Sequence, residues 1–344
     1  MQTRMGDVDQ PRSHLQIDEE ATLAARAAWL YFAGGQTQGE IAEKLNVPNT
    51  KAHRLIARAS RDGLIRVFVE GPIAGCVALE EQIKEKFGLR HCEVVPNIDD
   101  GALPLRTLGM AGARYLRNVL DRAAHQIIGV GHGRTLAAAI DFLPSSPAPH
   151  VKFVSLLGGL TRRFAANPYD VIHRLSERTG SEAYLLPVPF FANSVADKAV
   201  LLKQFGIADV VALARQASLH LVGIGEVDNK GFITSAGMIA PAEIDEVARA
   251  GAQGEVLGSF FADDGKRVPT DLSDRALAPD IEQLRGREMV AIAGGRSKMR
   301  AIRAVLRSGL LTGLITDEAT ARQLAGEETG SDPGNKNGTS KAAV

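Results

Sequence analysis

The stretch "QIIGVGHGRTL", residues 126–136, decides the fold of most of this chain. Its first half is a short apolar run of β-branched residues, the texture of a strand buried on both faces. Its second half opens a helix. Between them Gly129, Gly131 and Gly133 permit close backbone approach. Amide groups at the start of that helix, together with Thr135 and Arg134, suit a phosphate or another anion. A glycine loop of this kind also serves as a simple tight turn in any α/β protein. Leu136 stands where a dinucleotide fingerprint has its third glycine, so no NAD site and no other cofactor is expected.

The same theme recurs along the chain. Apolar runs "VKFVSLLGG", "AYLLPVPFF", "LHLVGIG", "MVAIAGG" and "GLLTGLIT" alternate with helix-like segments from about residue 73 onward. A parallel sheet covered by helices is the economical fold for such a pattern. Several strands end in glycine, which places one ligand crevice at the carboxyl edge of the sheet. In "AIAGGRSKMRAI" (291–302), Gly295 precedes Lys298 in the first turns of a helix. That lysine suits a phosphate, hydroxyls or, if desolvated, a Schiff base; an exposed surface lysine fits the spacing equally well.

In "LVGIGEVD", Glu226 and Asp228 are candidate hydroxyl acceptors. His132 and His220 lack a paired carboxylate or ligand spacing and read as structural, although His132 sits within the glycine loop. Phe190 and Phe191 of "PVPFF" read as a pocket wall or as core. "FFADDG" reads as a loop, with Asp263 and Asp264 as turn formers.

Upstream lies a segment of different texture. "IDEEATLAARAAWLYFAGG" predicts a helix with Leu23, Ala27, Leu30 and Tyr31 inward and an acidic first turn. Thr37 and Glu40 form a T-x-x-E capping box for a second helix, which carries Ile41, Ala42 and Leu45 inward. "LNV" makes a turn, and Pro48 suits the start of a third helix. Ala52, Leu55, Ile56 and Ala59 face inward there, leaving Asn49, Thr50, Lys51, Arg54 and Arg58 outward. "IRVFV" adds a strand. Six basic residues between Lys44 and Arg66 face Asp62 alone, a local charge of +5. This is the pattern of a winged helix-turn-helix whose second helix meets phosphates and base edges of DNA. A three-helix cap with a merely solvated basic face is the bland alternative.

Bulk composition narrows the classes further. The 344 residues carry 40 basic and 40 acidic side chains, so nucleic-acid binding must rest on a local patch. Two cysteines, Cys76 and Cys92, supply neither a disulfide framework nor a zinc site, and no metal is expected. No apolar run reaches the ~20 residues of a membrane span, and the polar N-terminus lacks a signal segment; a cytoplasmic protein is expected. The domains read as a flexible leader (1–17), a helix-turn-helix domain (18–72), an α/β effector-binding and oligomerisation domain (73–326) and a disordered tail (327–344).

In order along the chain, "TQGEIAEKLNVPNTKAHRLI", "GVGHGRTLAAAI", "SLLGGL", "LPVPFF", "LVGIG", "IAGGRSKMRAI" and "LITDEATA" resemble the SorC-type bacterial transcription regulators. The likeness runs from Thr22 to about Ala325. It implies an α+β two-domain protein: a winged helix-turn-helix and a Rossmann-like domain similar to sugar-phosphate isomerases turned into a sensor. It implies no enzyme activity, and double-stranded operator DNA as a partner. Contacts are expected from Thr37, Gln38, Asn49, Thr50, Lys51, His53, Arg54, Arg58 and Arg66.

A sugar, polyol or sugar-phosphate effector is implied around Gly131, His132, Gly133, Arg134, Thr135, Gly158, Gly159, Asn167, Phe191, Glu226, Asp263, Gly295 and Lys298. Homo-oligomers, commonly tetramers, are implied as well. "GHGRTLAAAI" and "SLLGGLTRRFAANPYD" look most like members controlling erythritol and related polyol catabolism, here read as repressors. Leu157 replaces the arginine that phosphate-sensing relatives can carry, so either Arg134, Arg162 or Arg163 substitutes or the ligand is uncharged. Two other readings stand beside this one: an isomerase or deaminase with a base among Glu226, Asp263 and Asp264, and a constitutive DNA-binding scaffold.

Overall fold

In the computed structural model, the described residues are 19–62, 64–65, 74–97, 103–159 and 171–326. The chain divides into two compact units, Met1–Val69 and Glu70–Val344.

The first unit holds helices α1 (Glu19–Phe32), α2 (Gln38–Leu45) and α3 (Asn49–Arg61). Thr37 caps α2: its hydroxyl accepts from the Glu40 amide, and Glu40 Oε2 accepts from the Thr37 amide at 2.7 Å. Asn46 takes a left-handed conformation (φ 51°) that ends α2, and Val47 N donates back to Ala42 O. Pro48 then leads into α3. Ala24, Ala27, Ala28, Leu30, Ile41, Ala42, Ala52, Leu55, Ile56 and Ala59 form one apolar core. Tyr31, expected inward on α1, is exposed, while Ala27 and Ala28 one turn earlier are buried. The expected strand over "IRVFV" falls almost wholly outside the described residues.

The second unit is built on seven parallel strands in the order β1-β11-β10-β5-β2-β3-β4. They are β1 (His91–Val95), β2 (Ile127–Val130), β3 (Lys152–Ser155), β4 (Glu182–Tyr184), β5 (Leu219–Val222), β10 (Glu288–Ile292) and β11 (Gly313–Asp317). Helices α4 (Ala74–Phe87), α5 (Leu105–Arg122), α6 (Arg134–Phe142), α7 (Ile172–Thr179), α8 (Val195–Leu201) and α9 (Ile207–Gln216) lie before β1 and in the connections as far as β5. From β2 the chain steps outward to β3 and β4, then returns to the other side of β2 for β5. The strand order therefore switches direction between β2 and β5, which opens a crevice above their carboxyl ends.

A second, antiparallel sheet of β6 (Gly225–Glu226), β7 (Ala252–Val256), β8 (Ser259–Ala262) and β9 (Arg267–Val268) follows directly from β5. This sheet corrects the reading of "FFADDG": Phe260 and Phe261 are buried strand residues, and only Asp263–Gly265 turn. "AYLLPVPFF", expected as a strand, is strand only at Glu182–Tyr184, since its prolines remove ladder donors. Cys76 and Cys92 are buried free thiols. Among the described residues no helix is long and apolar enough to cross a membrane.

Candidate functional site

The crevice at the switch point is lined by three carboxyl-end loops and closed by the small sheet. Gly131–Gly133 and the start of α6 come from β2; Gly223, Ile224 and Gly225 come from β5; Lys298 comes from the turn after β10. Gly131 N donates to Leu221 O at 2.8 Å and carries the β2–β5 pairing into the loop. Gly133 caps α6 with φ 134°, and the space where a Cβ would sit there is open. Thr135 Oγ1 donates to Ile292 O at 2.7 Å, which fixes α6 to β10. That hydroxyl is thereby already engaged.

Two cations and two carboxylates meet here. Lys298 is buried, and Nζ donates to Ile224 O at 2.7 Å. The surface-lysine alternative is thus corrected: the turn after Gly295 aims the side chain inward. Burial pulls its pKa below the ordinary lysine value, partly offset by Glu226, Glu255 and Asp228. Arg134 Nη2 stands 3.8 Å from Glu226 Oε2. Glu255, on β7, is buried; its Oε1 accepts from Gly258 N at 2.6 Å, and burial pushes its carboxyl up to about 7. Glycine at 225 leaves room for the acid, because a Cβ there would lie 2.3 Å from Glu255 Oε2 and force the carboxylate to shift. Such a set offers donors and acceptors for hydroxyls together with the positive N-terminus of α6.

Of the residues expected to bind the effector, Gly131, His132, Gly133, Arg134, Thr135 and Lys298 line this crevice, and Glu226 reaches it through Arg134. Gly159 is not among the lining; its amide donates to Leu186 O. Gly158 is a packing glycine, since a Cβ there would meet Pro189 O at 2.2 Å. Gly295 shapes its turn at φ 97° and donates to Asp317 Oδ2 and Thr320 Oγ1. Phe191 is core, and Phe190 is the ring that lines the crevice. Asp263 sits on the surface in ion pairs with Arg303 and Arg307. Asn167 lies outside the described residues. His132 Nε2 stands 3.3 Å from Ser155 Oγ, whose hydroxyl donates to Leu157 O, so the imidazole also ties β2 to β3. His220 is core: burial holds its pKa below the usual value, and Nδ1 stands 3.2 Å from Glu288 O.

In the first unit, Gln38, Asn49, Thr50, His53 and Arg54 are exposed and Lys51 is half-buried. Thr37 is engaged in its capping box. Arg58 is paired with Glu20 at 2.9 Å and Asp62 at 3.0 Å, so its charge belongs partly to the α1–α3 contact. Arg66 lies outside the described residues.

Comparison with known proteins places these features in a family. Residues 71–325 match the family described as "Putative sugar-binding domain". The chain is 49% identical over 292 residues to the erythritol catabolism regulatory protein EryD of Brucella abortus (strain 2308), covering 85% of this chain and 92% of that protein. It is 33% identical over 294 residues to the transcriptional regulator LsrR of Enterobacter sp. (strain 638), covering 84% and 88%. The chain belongs to the sugar-binding family of SorC-type transcriptional regulators.

Solved structures agree on the fold of this regulator. The full-length sorbitol operon regulator SorC from Klebsiella pneumoniae superposes with TM-score 0.63 at 24% identity, covering 89% of this chain and 99% of that one. A domain described as that of "a possible sugar-binding transcriptional regulator from Arthrobacter aurescens TC1" gives 0.66 at 27% identity, covering 74% of this chain and all of that one. Sequence reasoning missed Glu255 of the regulator. "GEVLGSFF" looks like an ordinary apolar strand pair, and only the fold brings this acid opposite Lys298. The signal available was an acidic residue inside an otherwise apolar run, a pattern that calls for a buried partner.

Proposed function

We propose that the regulator is a DNA-binding repressor of a polyol or sugar catabolic operon, with the switch-point crevice as its effector seat. The observation that carries this reading is the 49% identity to an erythritol catabolism regulator across both units of the chain. In the first unit, α2, the Asn46–Pro48 turn and α3 then act as the helix-turn-helix, with α3 entering the major groove. Asn49, Thr50 and Arg54 near its start face base edges, and Lys51 meets phosphate.

The effector-binding, DNA-binding and oligomeric assignments are all part of this proposal, as is a cytoplasmic location. The crevice holds about 40 Å3 of free space, room for a few waters at roughly 10–15 Å3 each and less than a sugar or polyol fills. Seating a molecule of sugar size therefore moves a wall, which is how occupancy shifts the balance between two states.

The test is fluorescence anisotropy on the DNA upstream of the chain's own gene, titrated with salt and with a panel of tetritols, pentitols, hexitols and their phosphates. Salt-dependent, sequence-selective binding that changes with one panel member is expected. Binding indifferent to every ligand supports the constitutive scaffold, and no selective binding at any salt sinks the reading.

One observation favours a second reading. Glu255, with its pKa raised to about 7 and lying in the crevice with Lys298, has the character of a general acid–base group. A tetrose- or pentose-phosphate isomerase assay that shows turnover lost in Glu255→Gln would establish it.

A further inference from the structure

Away from the crevice, one stretch of the second unit carries a knob, a hole and opposite charges that its own fold leaves unused. Helix α8 buries none of its residues. Val195 is 54% and Val200 59% exposed, and Phe205, just beyond the helix, is 100% exposed. A cavity of about 290 Å3 lies in the same surface, walled by Pro189, Phe191, Ala192, Val200 and Leu201, with Asp197 also in its lining. The turn that presents Phe205 springs from that wall: Lys203 N donates to Val200 O at 3.2 Å and Gln204 N to Leu201 O at 3.1 Å. Lys203, two residues before the ring, is exposed, as is Asp197.

A two-fold contact between identical chains needs both halves of a fit on one patch. Here the projecting ring and the apolar hollow lie within one short segment, and each brings its own charge, basic beside the ring and acidic in the hollow. We propose that this surface is a two-fold interface between two copies of the chain, with Phe205 of each copy seated in the other's cavity and Lys203 brought against Asp197 across the contact. An aromatic side chain buries roughly 150–250 Å2, so the two rings supply about a quarter of the ~1,600 Å2 of a standard interface. Val195 and Val200 extend the apolar area around them, and the ring acts as the anchor. The inference rests on the homo-oligomeric part of the proposed function and not on which ligand the crevice takes.

Sedimentation velocity on the full chain over a concentration series tests it. Wild type is expected to associate. Phe205→Glu is expected to weaken association about 30-fold or more, the loss of an anchor residue, or to halve the particle mass where a separate contact persists. Phe205 is fully exposed, so circular dichroism and Tm should match wild type. Asp197→Lys and Lys203→Asp should each weaken association, and the double reversal should restore it to within about threefold, because the pair is remade with exchanged signs. A wild-type chain that stays monomeric at every concentration overturns the proposal and leaves the surface to another protein. Phe205→Glu associating like wild type, or a double reversal no better than the single changes, overturns it equally.

Discussion

Phe190 and Phe191 are consecutive, with ring centroids 4.3 Å apart, yet they line different cavities. Phe190 lines the crevice at the sheet switch point, and Phe191 lines the hollow beside α8. Both rings are buried, so the two cavities are separated by one pair of packed side chains. The bridge between Phe191 and Ala276 and the bond from Leu277 N to Phe190 O hold the pair to the segment after α12 (Asp271–Arg275, the third helix after β6, following α10 at Phe232–Ser235 and α11 at Pro241–Arg249).

That adjacency predicts linkage between ligand and assembly. The effector that alters DNA binding should shift the self-association constant by about 5- to 150-fold, the usual range of coupling between sites. In Phe190→Leu the ligand should still bind, measured by calorimetry, while its effect on sedimentation falls below about threefold. Unchanged linkage in that variant would show that the rings are only core.

Lys298 is the crevice residue whose role a single substitution tests most directly. Its ammonium is buried, donates to Ile224 O and is surrounded by the acids of the crevice. Lys298→Met keeps the aliphatic stem and removes the charge. Effector affinity should drop by about 10- to 150-fold, the worth of a charged hydrogen bond of ~1.5–3 kcal/mol. Affinity for DNA without effector should stay within about threefold. Loss of DNA binding instead would make Lys298 a structural residue.

The α3 surface separates positioning from reading. Arg54 is exposed near the start of the helix, whereas Arg58 is held by Glu20 and Asp62. Arg54→Ala should cost about 1–3 kcal/mol on the specific site and relax the preference over random DNA. Arg58→Ala should act mainly through stability, lowering Tm with little change in that preference. Anisotropy on matched specific and scrambled duplexes, beside thermal melts, distinguishes the two.

How much of this was legible beforehand follows from the range of each signal. Local signals read well: the Thr37–Glu40 box, the glycine loop at 129–133 and the buried strand runs each depend on residues a few positions apart. Signals that depend on distant partners did not. Gly158 looked like a ligand glycine because the carbonyls of Val188 and Pro189 that demand it are remote in sequence. Asp263 looked like a site acid because Arg303 and Arg307, which take its charge, lie on a later helix. Glu255 went unread for the same reason in reverse. Its apolar neighbours hid it, and its contribution comes from standing opposite a lysine on another loop.

Glu255 therefore carries the sharpest pH prediction. Its carboxyl titrates near 7 in the folded protein against an ordinary value of 4.5, because burial penalises the anion more than Gly258 N–H and Lys298 stabilise it. Below pH 4.5 both folded and unfolded chains hold the proton, and the group leaves stability unchanged. As pH rises toward 7 the unfolded chain releases the proton first, so folding loses stability, and above about 7 the loss is complete. Its size is on the order of 3 kcal/mol. Glu255→Gln retains an acceptor for Gly258 N–H and cannot ionise, so it escapes this loss. The stability of the variant relative to wild type should therefore rise between pH 5 and pH 8 by about three quarters of that amount, read from urea melts at each pH. Arg134, Glu226 and Asp228 also face Lys298, and they are unchanged in both proteins, so their contributions cancel to first order. Parallel pH profiles for the two proteins would mean that Glu255 is ionised in the folded crevice throughout that range.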